Sequence, residues 1–334
     1  MFSFDVVPGK VVKDILDSSA GEIVDLVEDA YLRHDAGKTV NPDSYFLRFP
    51  EKPDARIIAL PAAIELPEDH AVGIKWISSF PGNVADGIPR ASAALILNDY
   101  ATGYPKALLE AANISAVRTA ASAAVAARAF ARHVTPDGRV SFIGAGVIAR
   151  TILRYLVATG YPLDSVEIFD LHAESAQHLA RFATEELGLT AKAVGTLAEA
   201  LAAQTVITTT TAGTPYIGQL LRPGQLALNI SLRDFQPTVI LAAENYFDDV
   251  EHCMKANTSP HLAEQATGSR DFVSGTLADV LKGRTQPQGR RGLVFSPFGL
   301  GVLDLAVGQY VLTAARAQGL TVEIPNFFGE TSRW

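Results

Sequence analysis

The stretch RVSFIGAGVIARTILRYLVATGYPLDSVEIFD, Arg139 to Asp170, decides the fold. Residues Arg139 to Ile143 have the apolar character of a buried strand. A glycine turn follows, then apolar residues at helical spacing, a Tyr161-Pro162 break and a second strand ending at Asp170. Gly144, Gly146 and Ala149 stand in the pattern G-x-G-x-x-A. In that pattern the first glycine makes a tight turn, the second lets backbone amides approach a pyrophosphate, and the alanine lets the helix lie close on the sheet. The turn and first helical residues, Gly144, Ala145, Gly146, Val147 and Ile148, thus form the expected phosphate cradle at a positive helix end. A strand-to-helix turn that binds nothing would explain the glycines but not Asp170. A carboxylate there suits the two ribose hydroxyls of NAD and repels a 2′-phosphate, and no Arg or Lys follows at positions 171–173. NAD is therefore the expected cofactor.

Outward from this stretch the alternation continues. Helices are predicted over Glu174 to Leu187 and Leu197 to Ala202, and strands over Lys192 to Val194, Thr205 to Thr209 and Gln225 to Ile230. Strands alternating with helices give an α/β fold, a Rossmann-type doubly wound parallel sheet covered on both faces. Further on, Asp271 to Gly283 reads as helix, Gly292 to Phe295 as the last strand, and Val302 to Gln318 as a helix. Upstream, Ser18 to Gly37 holds an amphipathic helix. Short strand-like runs follow at Ser44 to Phe49, Arg56 to Leu60, Gly73 to Phe80, Ala91 to Leu97 and Tyr104 to Leu109, separated by Pro, Gly, Asn and Asp turns. A long helix from Ile114 to His133 and the turn Thr135-Pro136-Asp137-Gly138 lead into the glycine motif. The predicted organisation is a discontinuous α+β domain for substrate binding and dimerisation, residues 1–117 and 303–334, around a nucleotide-binding domain of residues 118–302.

Composition narrows the function. The chain has 334 residues, enough for two cores, and 48% hydrophobic residues without a low-complexity tract. A formal charge of -8 argues against generic nucleic-acid binding, which needs a basic face, though it permits a local basic pocket. The single cysteine, Cys253, cannot form an internal disulfide, and no signal-like segment opens the chain, so a reducing cytoplasm is expected. No membrane span is expected, because Arg118 and Arg128 interrupt the alanine-rich run Ser115 to Ala131. The histidines show no H-x-x-x-H pair and there is no G-x-S-x-G elbow, so neither a metal site nor a serine nucleophile competes with hydride chemistry.

Four basic residues in the first domain or at its boundary are candidates for a cleft, Arg48, Lys75, Arg90 and Arg118; a solvated surface charge is the alternative for each. Lys75 interrupts the apolar run Val72 to Ile77, and Arg118 interrupts a helix of small residues. Charges so placed are costly without a partner or ligand. On the nucleotide side, Ser231-Leu232-Arg233-Asp234 follows a predicted parallel strand, at the end where ligands bind in open α/β sheets. Asp234 is the candidate acid/base carboxylate; a loop-capping Asp is the alternative. The run Thr208 to Thr211 ends another such strand, where its hydroxyls are placed to line the cofactor; an ordinary β-branched strand end is the alternative.

Five segments carry a resemblance. They are Gly-Ile-Lys-Trp-Ile-Ser-Ser-Phe-Pro-Gly-Asn (73–83), Leu-Asn-Asp-Tyr-Ala-Thr-Gly-Tyr-Pro (97–105), Ile-Ser-Ala-Val-Arg-Thr-Ala-Ala-Ser (114–122), the glycine motif, and Gly-Leu-Gly-Val-Leu-Asp (299–304). In this order, over nearly the whole chain, they resemble the ornithine cyclodeaminase/mu-crystallin family. Arg-Ala-Ser-Ala (90–93), Ile-Ser-Leu-Arg-Asp (230–234), the tail Ile-Pro-Asn-Phe-Phe and the final Arg333-Trp334 look most like the family's N-(2-amino-2-carboxyethyl)-L-glutamate dehydrogenases, which serve 2,3-diaminopropionate biosynthesis.

The resemblance implies a homodimer built through the first domain and a small amino acid substrate with several carboxylates, held between that domain and the nicotinamide. It implies carboxylate-binding and catalytic roles for Arg48, Lys75 and Arg118, and an acid/base role for Asp234. Arg90, Phe298 and Gly299 join the substrate set. Arg118, Thr119, Asp170, Thr209, Thr210, Ser231 and Leu232 join the turn residues around NAD. Three departures separate this chain from the cyclodeaminases. Arg90 replaces a threonine, Ser231-Leu232-Arg233 replaces Val-Gly-Gly, and Thr238 stands where a cofactor-side lysine would fall. A diamine gains nothing from additional arginines; a tricarboxylate does. The expected reaction removes hydride from the glutamate Cα, and hydrolysis of the imine yields 2-oxoglutarate and 2,3-diaminopropionate. Ornithine or lysine cyclodeamination, simple alanine or imino-acid dehydrogenation, and nucleotide binding without turnover are the other readings.

Overall fold

A computed structural model describes residues 3–67, 69–134 and 136–332; Thr135 of the expected turn and the terminal Arg333-Trp334 lie outside the described residues. The chain divides into two compact units, Met1–Arg118 with Leu300–Trp334, and Thr119–Gly299.

The first unit is built on an eight-stranded mixed sheet. Its spatial order is Val322–Glu323, Asp5–Val7, Pro105–Glu110, Ala91–Asn98, His70–Ser79, Lys52–Glu65 and Thr39–Val40, with Tyr45–Phe49 also pairing Lys52–Glu65. All pairs are antiparallel except Asp5–Val7 with Pro105–Glu110. Val322–Glu323 closes one edge, so the last strand of the chain lies beyond Gly292 to Phe295, where the apolar pattern ended. The 14-residue strand Lys52–Glu65 contains Pro61. On one side of it, pairing with Tyr45–Phe49 reaches Ala59 and pairing with Thr39–Val40 resumes at Ala63, so no neighbour on that side needs the missing N–H. The helix Gly301–Ala317 is buried from Gly301 through Gly308, which fits a helix apolar nearly all round. One residue in that stretch is charged, Asp304.

The second unit carries an all-parallel eight-stranded sheet in the order Ala191–Ala193, Ser165–Phe169, Arg139–Ile143, Thr205–Thr208, Leu226–Asn229, Leu293–Ser296, Glu244–Phe247 and Val273–Thr276. Several central strands are buried along their whole length, as a sheet covered on both faces requires. The order reverses between Arg139–Ile143 and Thr205–Thr208. This switch point, at the carboxyl ends of the strands, is where a doubly wound sheet opens a crevice. The α/β fold expected from the alternation is thus the observed one.

Asp271 to Gly283 is not one helix. Val273–Thr276 is a strand and Leu277–Leu281 a helix. Gly275 has φ 152°, a conformation side chains rarely adopt, and Thr276 starts the helix afresh in a capping box with Asp279. The strand Glu244–Phe247, which no period in the sequence announces, separates Leu293–Ser296 from this edge.

Candidate active site

In the second unit the glycine motif has the geometry its spacing predicts. Gly144 turns at φ 95°, and a Cβ there would stand 2.7 Å from the Thr209 carbonyl oxygen, so no other residue fits without a shift. Its N–H donates to Phe169 O at 2.8 Å, and Thr209 Oγ1 donates to its carbonyl at 2.8 Å. Helix Val147–Ala158 then starts at Gly146 with no side-chain cap and no acidic residue in its first turn. A Cβ on Gly146 would meet nothing within 4 Å. Unsatisfied amides at a positive helix end, with open space before them, fit a dinucleotide pyrophosphate. Asp170 sits beside them: one oxygen accepts from Ala145 N–H at 2.8 Å and the other from His172 N–H at 2.8 Å. The carboxylate therefore holds the turn in addition to whatever it offers a ribose.

The threonine run divides its work. Thr208 is buried and donates to Asn229 Oδ1 at 3.3 Å, whereas Thr210 Oγ1 donates to Asp234 Oδ1 at 2.5 Å. Asp234 is fully buried and also accepts from Tyr216 OH at 3.1 Å and from Ser231 Oγ. Burial and the Asp234 carboxylate push the Tyr216 phenol well above its ordinary value, so it remains a donor. Between Ser231 and Asp234, Leu232 is buried at φ 69°. A branched side chain in the left-handed region is strained by about 1–3 kcal/mol and persists only where surroundings dictate it. Here its N–H is tied to Asn229 O and its carbonyl accepts from Ser259 N–H at 2.7 Å. Phe298 and Gly299 are also fixed, their N–H groups donating to Asp248 at 2.9 and 2.7 Å. Burial raises the Asp248 carboxyl.

In the first unit, Lys75 is 1% exposed and points from its strand toward helix Gly301–Ala317. Its Nζ stands 2.6 Å from Asp304 Oδ2 and 3.1 Å from Ser115 Oγ. The other Asp304 oxygen accepts from Arg118 Nε at 3.2 Å. One buried carboxylate thus holds two of the expected cations. Burial lowers the Lys75 amine to about 8, Asp304 opposes the fall, and Arg118 adds to it. Thr119 follows Arg118 on helix Ala112–Phe130 and is half-buried.

Arg48 lies elsewhere on the same sheet, and Arg90 immediately before its strand Ala91–Asn98. Arg48 is exposed, its guanidinium 5.4 Å from the Phe46 ring, and it is paired in register with Arg56. Arg90 is half-buried and donates to Ser79 Oγ at 2.7 Å.

Five residues of these arrangements escaped the sequence reading: Asp304, Ser115, Arg56, Tyr216 and Asp248. Asp304 left a signal, an acid inside the apolar run Val302 to Val307. Asp248 left a weaker one, two acids ending a strand too short to recognise. Among the described residues no helix is long and apolar enough to cross a membrane.

The sequence profile described as the ornithine cyclodeaminase/mu-crystallin family matches residues 10–319. The chain is 29% identical to the N-((2S)-2-amino-2-carboxyethyl)-L-glutamate dehydrogenase of Staphylococcus aureus, over 89% of this chain and 91% of that one. It is 26% identical to an alanine dehydrogenase of Archaeoglobus fulgidus, over 92% and 95%. Among solved structures, CmnK superposes with a TM-score of 0.85 at 30% identity, covering 98% of this chain and 99% of that one. The Thermococcus litoralis Delta(1)-pyrroline-2-carboxylate reductase, solved with NADH and L-proline, superposes at 0.86 with 22% identity, over 96% and 100%. With the profile spanning most of the chain, and the glycine turn and buried lysine in place, the protein belongs to the ornithine cyclodeaminase/mu-crystallin family.

Proposed function

We propose that the protein is an NAD-dependent amino acid dehydrogenase that converts N-(2-amino-2-carboxyethyl)-L-glutamate to 2,3-diaminopropionate and 2-oxoglutarate. The observation that carries this reading is the surplus of cation on the first unit. Lys75 and Arg118 share Asp304, and Arg48 and Arg90 stand further along the sheet with no carboxylate partner among the described residues. A substrate with one carboxylate uses one such pair; a tricarboxylate uses them all. The 29% identity to a dehydrogenase of that name supports the same choice.

Gly144 to Ile148 would hold the pyrophosphate of NAD and Asp170 its adenosine ribose. NAD, when bound, would supply the acceptor for the hydride that leaves the glutamate Cα; hydrolysis of the resulting C=N bond releases the ketone and the primary amine. Arg118 clamps a substrate carboxylate in the paired geometry a guanidinium offers. Lys75 binds the same group as a point charge and polarises the reacting centre. The substrate's secondary amine must lose a proton before hydride departs, and water must be deprotonated as it adds to the imine carbon. Asp234 takes these protons through the hydroxyls of Ser231, Thr210 and Tyr216 that surround it, and returns one to the departing amine.

A homodimer is part of the proposal. Tyr45, Leu47 and Trp76 are 72%, 46% and 45% exposed on the sheet face opposite Lys75, an apolar surface of the kind that pairs with a second copy.

The test is purified protein with NAD and the amino-carboxyethyl-glutamate substrate, following NADH absorbance and assaying 2-oxoglutarate. Equal amounts of both products support the reading. NADH without 2-oxoglutarate excludes it.

A further inference from the structure

The strand register gathers three arginines at one end of the first unit's sheet. Arg48 pairs with Arg56 across one strand gap, and Arg56 pairs with Ser79 across the next. Ser79 Oγ in turn accepts from Arg90 Nη1 at 2.7 Å. No ion pair involves any of the three among the described residues, and the buried Nε of Arg56 has no hydrogen-bond partner. Like charges held together without a counter-charge repel, and a buried donor without an acceptor is destabilising. Burial and the neighbouring Arg48 lower the Arg56 guanidinium, and burial and Arg56 lower that of Arg90, which states the same conflict. A fold tolerates such a cluster where an anion relieves it.

The cluster's place says which anion. Ser79 lies four residues beyond Lys75 on one strand, so both point to the same sheet face, and both are buried there. Arg56 and Arg48 share that face through the register. Four residues of strand cover roughly 13 Å, and the arginine side chains reach back over part of it. We propose that Arg48, Arg56 and Arg90 form a second carboxylate subsite, which takes the distal carboxylates of an amino acid whose reacting end is held at Lys75 and Arg118. Arg56 is its deciding residue. This subsite rests on the reading of a multi-carboxylate substrate and adds where its selectivity is made. A monocarboxylate amino acid satisfies Lys75 and Arg118 and leaves the three arginines unrelieved.

Calorimetric binding to the full chain loaded with NADH tests this without turnover, using tricarballylate (three carboxylates), butyrate (one) and inorganic phosphate. The parent is expected to bind tricarballylate at least about tenfold tighter than butyrate, and Arg56→Met to abolish that advantage while leaving butyrate within about twofold. Arg56→Lys keeps the charge but loses the fork, and is expected to keep part of the advantage. Lys38→Met, which removes a cation paired with Glu65 at the other end of strand Lys52–Glu65, is expected to keep all of it. Butyrate binding, which needs Lys75 and Arg118 in place, confirms that the first unit of each variant is folded. A parent with no preference overturns the subsite, as does an Arg56→Met or Arg56→Lys protein with the parent's full preference. Phosphate binding that depends on Arg56 while tricarballylate gains nothing over butyrate overturns it equally. The ratio is independent of the reaction: absence of 2-oxoglutarate production sinks the proposed function and leaves the subsite measurable, whereas an unchanged ratio in an enzyme that makes 2-oxoglutarate sinks the subsite alone.

Discussion

Asp304 Oδ2 lies 2.6 Å from Lys75 Nζ, and both side chains are withdrawn from solvent. Because the other oxygen of the same carboxylate accepts from Arg118, this one acid holds both cations in place, and it opposes the loss of the Lys75 proton. Asp304→Asn keeps the shape and removes the charge. Breaking a buried pair in this way destabilises by about 3–5 kcal/mol, because the remaining charge stays buried without compensation. Urea denaturation of the variant should show a loss on that order. A loss below about 1 kcal/mol would mean that Lys75 sheds its proton at little cost and that Asp304 does not set its charge.

The Lys75 amine gives a pH dependence with a definite sign. At about 8 in the folded chain against 10.5 ordinarily, it is protonated below pH 8 and neutral above. Affinity for a carboxylate substrate should be level below pH 8 and fall as pH rises through it, and Lys75→Met should remove that limb while lowering affinity throughout. Stability responds in the opposite sense. Between pH 8 and 10.5 the unfolded chain binds the extra proton, so the cost of burying this group is fully present below 8 and is relieved as pH climbs toward 10.5. Substrate titrations and urea melts across pH 6.5 to 10 on the parent and Lys75→Met report both limbs.

Asp170 should decide the cofactor. NAD should bind tighter than NADP, and Asp170→Asn, which keeps an acceptor for Ala145 N–H but removes the charge, should erode that preference by about tenfold. Fluorescence titration with NADH and NADPH measures it. Equal affinities in the parent would remove Asp170 from the ribose.

The exposed face carrying Tyr45 and Trp76 should be where two copies meet. Light scattering should return twice the mass of the chain, and Trp76→Glu should return the chain mass, since a buried charge opposes the contact. A parent that stays monomeric at micromolar concentration would contradict the assembly.

How much of this could be read from sequence depended on how far apart the partners lie along the chain. The glycine turn was legible because strand, turn and helix are contiguous, and Gly144 and Asp170 need only local spacing to declare themselves. The Lys75–Asp304 pair was not, because its members are 229 positions apart and nothing in either neighbourhood names the other. The buried acid in helix Gly301–Ala317 signalled only that a partner existed. Strand Glu244–Phe247 escaped because it is four residues long and contains Asn245, whose side-chain amide is spent on the carbonyls of Ile240, Ala243 and Phe272. Over Asp271 to Gly283 the apolar spacing suggests one continuous helix, and the backbone breaks it at Gly275.

The proton chemistry assigned to Asp234 has its own variant. Asp234→Asn preserves an acceptor for the surrounding hydroxyls and removes the base, so turnover should fall by roughly 10²-fold or more with NAD affinity nearly unchanged. Full activity in this variant would reduce Asp234 to a loop-holding role and pass the proton to Lys75.

The central claim is the substrate, and a direct competition tests it. One preparation is given NAD with the amino-carboxyethyl-glutamate substrate and, separately, with ornithine, and the initial rates of 2-oxoglutarate formation and of proline and ammonia formation are compared. The expected product is 2-oxoglutarate, with little or no proline. Proline and ammonia formed faster than 2-oxoglutarate would contradict it and make the protein a cyclodeaminase.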